Sequence, residues 1–215
     1  GCIPTKTLLY SAKQYYNAKN AAKYGVSAEN VVFDYTKIVQ RKTKVVRKLV
    51  AGIKQKLNNE HCTVVMCAAT VISRNDDLVI ISCGVDQYDA ENLLICTGST
   101  NFVPQIPGVK DNPAVWDSTD ALDSKDLPQS MIIVGGGVIG MEFAAFYNSL
   151  GIKVTVVEML PKILGPMDDE ISSMLQKIYA KRGIEFCLRC KVTGIEGNTV
   201  VYEDPDGKVC RVSGD

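Results

Sequence analysis

The sequence predicts an α/β protein: a doubly wound, Rossmann-type parallel sheet joined to a partial second domain that contains a small antiparallel sheet. Three observations predict it. Residues 131–188 alternate short apolar runs with helix-length segments, the pattern of parallel strands linked by crossover helices. A glycine cluster, Gly135-Gly136-Gly137-Val138-Ile139-Gly140, stands between the first of those runs and the helix after it. Upstream, residues 62–96 break into brief β-rich runs separated by Asn, Asp and Gly, as in an antiparallel meander leading to a buried strand.

Taken in order, Pro4 suits the start of a helix, and Leu8, Leu9, Ala12 and Tyr16 recur at helical spacing toward Tyr24-Gly25. Cys2 therefore falls at a helix N-terminus. Asp34 is a natural cap for a second, long helix whose stripe is Ile38, Val45, Leu49, Ile53 and Leu57, ending near Asn58-Asn59. Lys37, Arg41, Lys42, Lys44, Arg47, Lys48, Lys54 and Lys56 are assigned to the opposite, solvated face, because no aromatic residues interleave to stack bases. Strands are expected at Thr63-Val64-Val65, Thr70-Val71-Ile72, Leu78-Val79-Ile80-Ile81 and, buried, at Leu93-Leu94-Ile95. Pro104, Pro107-Gly108 and Asn112-Pro113 interrupt periodicity and mark the domain boundary, giving domains at 1–108 and 109–215. The second runs strand 131–134, helix to about Leu150, strand 154–158, helix 169–182, strand 184–188, then hairpins around Asn198 and Asp206-Gly207.

Composition narrows the partners. Lys and Arg number 24 and Asp and Glu 24, so attraction to nucleic acid or an anionic membrane is not the organising feature. No apolar run approaches the roughly 20 residues a membrane helix needs. The chain opens Gly1-Cys2-Ile3-Pro4 without an initiator methionine and reads as a piece cut from a longer protein. Most of the eight cysteines lie in apolar strand-like runs, and a chain of this length builds a core without disulfide staples, so a disulfide-stapled fold is not expected.

The glycine cluster carries the first chemistry. It follows an apolar strand, opens a helix, and is followed by Val154-Thr155-Val156-Val157-Glu158, the context a dinucleotide-binding turn requires. Gly135 permits the tight turn, Gly137 lets backbone approach a pyrophosphate, and Gly140 allows helix and strand to pack closely. Glu158, ending the second strand, can accept hydrogen bonds from ribose hydroxyls and repels a 2′-phosphate, which favours NAD over NADP.

Cys2 is the second candidate. A helix N-terminus stabilises a thiolate, and Lys6 lies one turn on along the same face. Gly1-Cys2-Ile3-Pro4-Thr5-Lys6-Thr7-Leu8-Leu9 resembles the second half of the redox motif of the pyridine nucleotide-disulfide oxidoreductases. The resemblance continues through Cys96-Thr97-Gly98-Ser99, Ile106-Pro107-Gly108, Gly135 to Glu142, and Lys191-Val192-Thr193-Gly194, and spans essentially the whole chain. It implies an enzyme that uses FAD, NAD and a Cys-x-x-x-x-Cys disulfide to oxidise a protein-bound dihydrolipoyl group. Another disulfide or metal-ion reductase of the family, or an inert NAD-binding module, is the alternative.

Carried over residue by residue, the resemblance makes Cys2 the catalytic cysteine beside the flavin and Lys6 the cation at its reactive edge, paired with Glu142. Thr97, Gly98, Ser99 and Ala69 match FAD contacts. Gly135, Gly136, Gly137, Val138, Ile139, Gly140, Met141, Glu142, Glu158 and Val192 make up the rest of the expected cofactor set. The first redox cysteine, the FAD pyrophosphate turn and a C-terminal dimer domain with a His-Glu pair are expected outside this chain, and His61 does not match that histidine. The piece alone is accordingly expected to be inactive. The implied partners are lipoyl domains of 2-oxoacid dehydrogenase or glycine cleavage complexes and, for the full-length parent, a second copy. The implied location is the cytoplasm, or the mitochondrial matrix in a eukaryote. No metal site is expected: Cys187-Leu188-Arg189-Cys190 lacks further ligands, and Cys62 and Cys67, five apart on an expected strand, would face opposite ways.

Overall fold

A computed structural model describes residues 1–75 and 77–215. Helix α1 spans Cys2–Lys19 and is followed by one 3-10 turn, Ala21–Tyr24, closed by Gly25 at φ 76°. Helix α2 runs Tyr35–Leu57; Asp34 caps it, its Oδ1 accepting from Lys37 N at 3.0 Å. Strands β1 (Ala69–Arg74), β2 (Val79–Cys83) and β3 (Asp86–Ala90) form an antiparallel meander. Then come the short helix α3 (Ser118–Asp123), strand β4 (Ser130–Val134), helix α4 (Val138–Ser149), strand β5 (Lys153–Glu158), helix α5 (Asp169–Lys181) and strand β6 (Glu185–Leu188). β4, β5 and β6 make a parallel sheet in that order. Strands β7 (Lys191–Glu196), β8 (Thr199–Glu203) and β9 (Val209–Ser213) form a second antiparallel meander.

The chain divides into two compact units, residues 1–47 with 101–215, and residues 48–100. The larger holds the core. β5 reads Val154-Thr155-Val156-Val157, all buried, as a central parallel strand covered on both faces should. α4 is apolar nearly all round because α1 and the sheet both pack on it: Met141, Ala144, Phe146 and Tyr147 are almost fully buried, along with Leu8 and Ala12 of α1. The link between α1 and α4 brings the first helix to the glycine turn. Gly108 closes the stretch 101–117: a Cβ there would lie 1.8 Å from Ile195 O, and its φ is +83°, so the proline-rich segment docks on β7 only with glycine at this position.

The smaller unit contains the β1–β3 meander. Here the structure departs from two expected strands. Residues 63–65 form no ladder, and Val64 and Val65 stand 56% and 44% exposed. Leu93-Leu94-Ile95 is not a buried strand either; Leu94 and Ile95 are 85% and 69% exposed. An apolar run is buried in a sheet only where another strand bonds to its backbone, and none among the described residues does. β3, Asp-Gln-Tyr-Asp-Ala, carries only Tyr88 and Ala90 as apolar side chains and lies outside the expected strands.

α2 corrects the reading of its basic face. Lys42 is buried, with Nζ 2.6 Å from Leu122 O and 2.8 Å from Asp123 Oδ1 at the end of α3. Arg41 is also engaged, donating to Thr7 O and Ser11 Oγ of α1. Conversely Leu49, Ile53 and Leu57 of the apolar stripe are exposed. Lys42→Met keeps the stem but strips Leu122 O of its donor. We expect it to cost about 1 kcal/mol in urea unfolding, while Lys44→Met, on the exposed face, stays within about 0.5 kcal/mol of wild type. Equal midpoints for the two variants would refute the anchoring role.

Cys67 and Cys83 are joined in a disulfide, Cα to Cα 5.8 Å apart, a bond the sequence reading did not anticipate. Cys62 stays free and half-buried. No helix among the described residues is long and apolar enough to cross a membrane.

Candidate functional site

The glycine turn is built by β4 and β5 together. Gly135 takes φ 108° and its N–H donates to Val157 O at 2.9 Å, which holds the turn against the end of β5. Gly136 O accepts from Leu164 N at 2.7 Å. Gly137 caps α4 in extended backbone. Gly140 sits one turn into α4, where a Cβ would meet Gly135 O at 2.3 Å and Ile133 Cγ2 at 3.2 Å. The helix can cross the strand this closely only without a side chain there.

The opening of the turn is the reverse case. Nothing lies within 4 Å of a Cβ placed on Gly137, and Val138 and Ile139 are 57% and 60% exposed. Among the described residues, the N–H groups of Gly137, Val138 and Ile139 find no acceptor. Free donors, the positive end of the helix and open space at a glycine make a site for an anion.

Glu158 ends β5 beside this opening. Its Oε2 accepts from Gly136 N at 2.6 Å and its Oε1 from Leu160 N at 2.7 Å. Each carboxylate oxygen is fixed by one backbone donor and keeps a lone pair for an incoming hydroxyl. The two donors orient the carboxylate in advance, a feature with no sequence signal beyond the glutamate itself. The residues present thus fit the pyrophosphate and ribose of a dinucleotide. Met141 is placed differently from its neighbours: it is 2% exposed and packs in the core, so its side chain supports the helix. Val192, half-buried in β7, pairs with Tyr202 of β8.

On α1, Cys2 is exposed and free at the first turn, and the Thr5 hydroxyl donates to Gly1 O at 2.7 Å. Lys6 Nζ forms an ion pair with Glu142 Oε1 of α4. That hydrogen bond holds the ammonium above its ordinary pKa. Burial opposes it, and the charges of Glu142 and Cys2 add to the rise. Lys6 thus stands charged one helical turn on from Cys2, with 60% of its side chain open to solvent.

In the smaller unit, Ala69 opens β1 opposite Cys83. Thr97, Gly98 and Ser99 are exposed and lie outside any helix or strand, with Gly98 in left-handed backbone at φ 76°. Cys187 approaches the Tyr202 hydroxyl at 3.5 Å, and Cys190 is buried with its thiol donating to Leu188 O. His61 is exposed beside Glu60.

The model of the pyridine nucleotide-disulphide oxidoreductase family matches residues 1–214. A dihydrolipoyl dehydrogenase of Acholeplasma laidlawii is 40% identical across the whole chain, which covers 64% of that protein. The enzyme of the same name from Mycoplasma pneumoniae is 34% identical, with 100% of this chain and 47% of the relative covered. Among solved structures, the Cu(II) complex of the HOCl-induced flavoprotein disulfide reductase RclA from Escherichia coli superposes with a TM-score of 0.75 at 29% identity, covering 100% of this chain and 45% of that one. LpdA from Mycobacterium tuberculosis gives a TM-score of 0.76 at 23% identity over 100% of this chain and 47% of its own, a likeness of fold. The chain therefore spans 45–64% of the length of these relatives.

Proposed function

This chain belongs to the pyridine nucleotide-disulphide oxidoreductase family, and on that premise we propose that it is the central part of a dihydrolipoyl dehydrogenase. In this reading the whole protein oxidises protein-bound dihydrolipoamide to lipoamide and passes the electrons to NAD. The observation that carries the reading is the Lys6–Glu142 ion pair, which ties the helix bearing Cys2 to the helix opened by the glycine turn. A thiol and a dinucleotide site are thereby held in one body.

Members of the family work with FAD and NAD; when bound, these supply the electron relay and the hydride acceptor. The chain's own residues supply the rest. Gly137, Val138 and Ile139 donate N–H groups to a pyrophosphate, and the oriented Glu158 carboxylate accepts from ribose hydroxyls. Val192 lines the adenine side. Cys2 presents its sulfur at the end of α1, and Lys6, steadied by Glu142, places a positive charge beside it that favours negative charge at the reacting edge of a flavin. Ala69, Thr97, Gly98 and Ser99 contribute contacts to FAD. By ligand, residues 1–108 serve the flavin and residues 109–215 serve NAD. This division follows the cofactors and is drawn differently from the two compact units.

The partners in this reading are lipoyl domains and, for the full-length parent, a second copy, and the location is the cytoplasm or, in a eukaryote, the mitochondrial matrix. A second reading, a reductase of another disulfide or of a metal ion, is supported by the likeness to the Cu(II) complex of RclA. Lipoamide-dependent NADH oxidation by the full-length parent, with no NADH-dependent Cu(II) reduction, is the expected result. The converse pattern replaces the first reading with the second.

The 215-residue polypeptide itself is expected to bind NAD without turnover, since Cys2 has no partner cysteine at the family's spacing within it. An absorption spectrum with intact mass, followed by a dihydrolipoamide assay, checks this. Turnover by these residues alone would overturn it.

A further inference from the structure

We propose that Cys67 and Cys83 form a redox-responsive clasp that governs the order of the small antiparallel sheet, with a chemistry separate from that of Cys2. The inference rests on the smaller unit by itself and not on the cofactor reading. The two Cα atoms are 5.8 Å apart, in the middle of the range a disulfide spans. Cys83 ends β2 directly opposite Ala69 of β1, and Cys67 lies just outside β1, so the bond fastens the open end of the β1–β2 ladder.

What makes the clasp consequential is how little else within these 215 residues holds the sheet. Every residue of β1 is exposed. Among the described residues of 48–100, only Val79 and Cys83 are buried, and one of these is the clasp itself. Three short strands with so small a core are marginal in water. A cross-link between residues 16 apart in sequence removes conformations from the unfolded chain and so stabilises the folded sheet.

The chemistry closes with a small-molecule disulfide as oxidant. The thiolate of Cys67, the exposed partner, attacks one sulfur of that disulfide and expels a small thiol. The thiolate of Cys83 then attacks the Cys67 sulfur of the mixed disulfide and expels the second thiol. Two protein thiols become one S–S bond, and one small disulfide becomes two thiols. Excess dithiol reverses the exchange. Cys62, free in the same unit, is not part of the bond.

The test uses the 215-residue chain equilibrated either with oxidised glutathione or with dithiothreitol. Free thiols are alkylated under denaturing conditions and the peptides mapped by mass, with amide hydrogen exchange measured in parallel. The expected result is a Cys67–Cys83 linked peptide after glutathione. Exchange in β1, β2 and β3 should be at least tenfold faster in the reduced form, while α4 and β5 stay unchanged. Cys67→Ser and Cys83→Ser should each exchange like the reduced form and ignore glutathione. Alkylatable cysteines at both positions after glutathione, a bond involving Cys62, or a bond that leaves sheet exchange unaltered would each overturn the proposal.

Discussion

Replacing Gly140 with alanine is expected to abolish measurable NAD binding and to lower the stability of the whole larger unit. The added Cβ would sit 2.3 Å from Gly135 O and 3.2 Å from Ile133 Cγ2. The first of these is backbone and cannot rotate away, so α4 must lift from β4 or the turn must open. Either movement strains the Gly135 N–H bond to Val157 O and the packing of Met141 and Ala144, which lie just beyond on the same helix. Overpacking of this kind costs about 2 to 3 kcal/mol, or roughly 5 to 10 °C in melting temperature for a chain of this size. Gly137→Ala is the matched control. Its Cβ meets nothing within 4 Å and its φ is −69°, so only a capping cost under about 1 kcal/mol is expected. Yet that methyl projects into the open space proposed for the pyrophosphate. The pair therefore separates folding from binding: Gly140→Ala loses both, and Gly137→Ala loses NAD affinity by more than about tenfold with near-normal melting. Wild-type NAD affinity in Gly137→Ala would show that the open side of the turn is not where the dinucleotide enters.

The contrast between those glycines explains what a sequence can disclose. The turn, α4 and β5 were legible because local spacing determines them: glycines at fixed offsets, an apolar strand on either side, a helix of the right length. The bounds of β4, β5, α5 and β6 fall within a residue of those expected. Leu93-Leu94-Ile95 was misread because burial of a strand depends on a distant partner, and composition alone says nothing about whether that partner is there. Lys42 was misread for a different reason. It lies four residues after Ile38 and three before Val45, on the apolar stripe itself, but a positive charge by itself favours water. Its burial makes sense only once Leu122 O and Asp123 face it, and those residues are 80 positions or more away in sequence. The Cys67–Cys83 bond required the register of β1 on β2, which a polar turn and a register shift between Val71 and Ser73 conceal. The Lys6–Glu142 pair was reached only through resemblance, since a contact across 136 positions has no local periodicity.

Glu158 is where the site's selectivity is expected to reside, and Glu158→Ala is the second large effect. The carboxylate does two things at once. In the proposed reading it meets a ribose, and it accepts from Gly136 N at 2.6 Å and Leu160 N at 2.7 Å. Removing it leaves both N–H groups without their acceptor, which loosens the turn, and removes the negative charge that repels a 2′-phosphate. NAD affinity should fall by about 10 to 100-fold, the equivalent of roughly 1.4 to 2.8 kcal/mol. NADP affinity should fall far less or rise, because the charge repulsion is gone. Glu158→Gln divides the two roles. Its carbonyl oxygen can keep one backbone donor, but its NH2 must then point at the other N–H, donor against donor. It should lose NAD affinity and gain tolerance of NADP while leaving one of the two amides protected from hydrogen exchange. Titrations of both nucleotides at one ionic strength, with exchange rates read at Gly136 and Leu160, separate these contributions. An unchanged preference for NAD over NADP in Glu158→Ala would place the discriminating group elsewhere. Faster exchange at Gly136 with unchanged selectivity would assign Glu158 to the architecture of the turn alone.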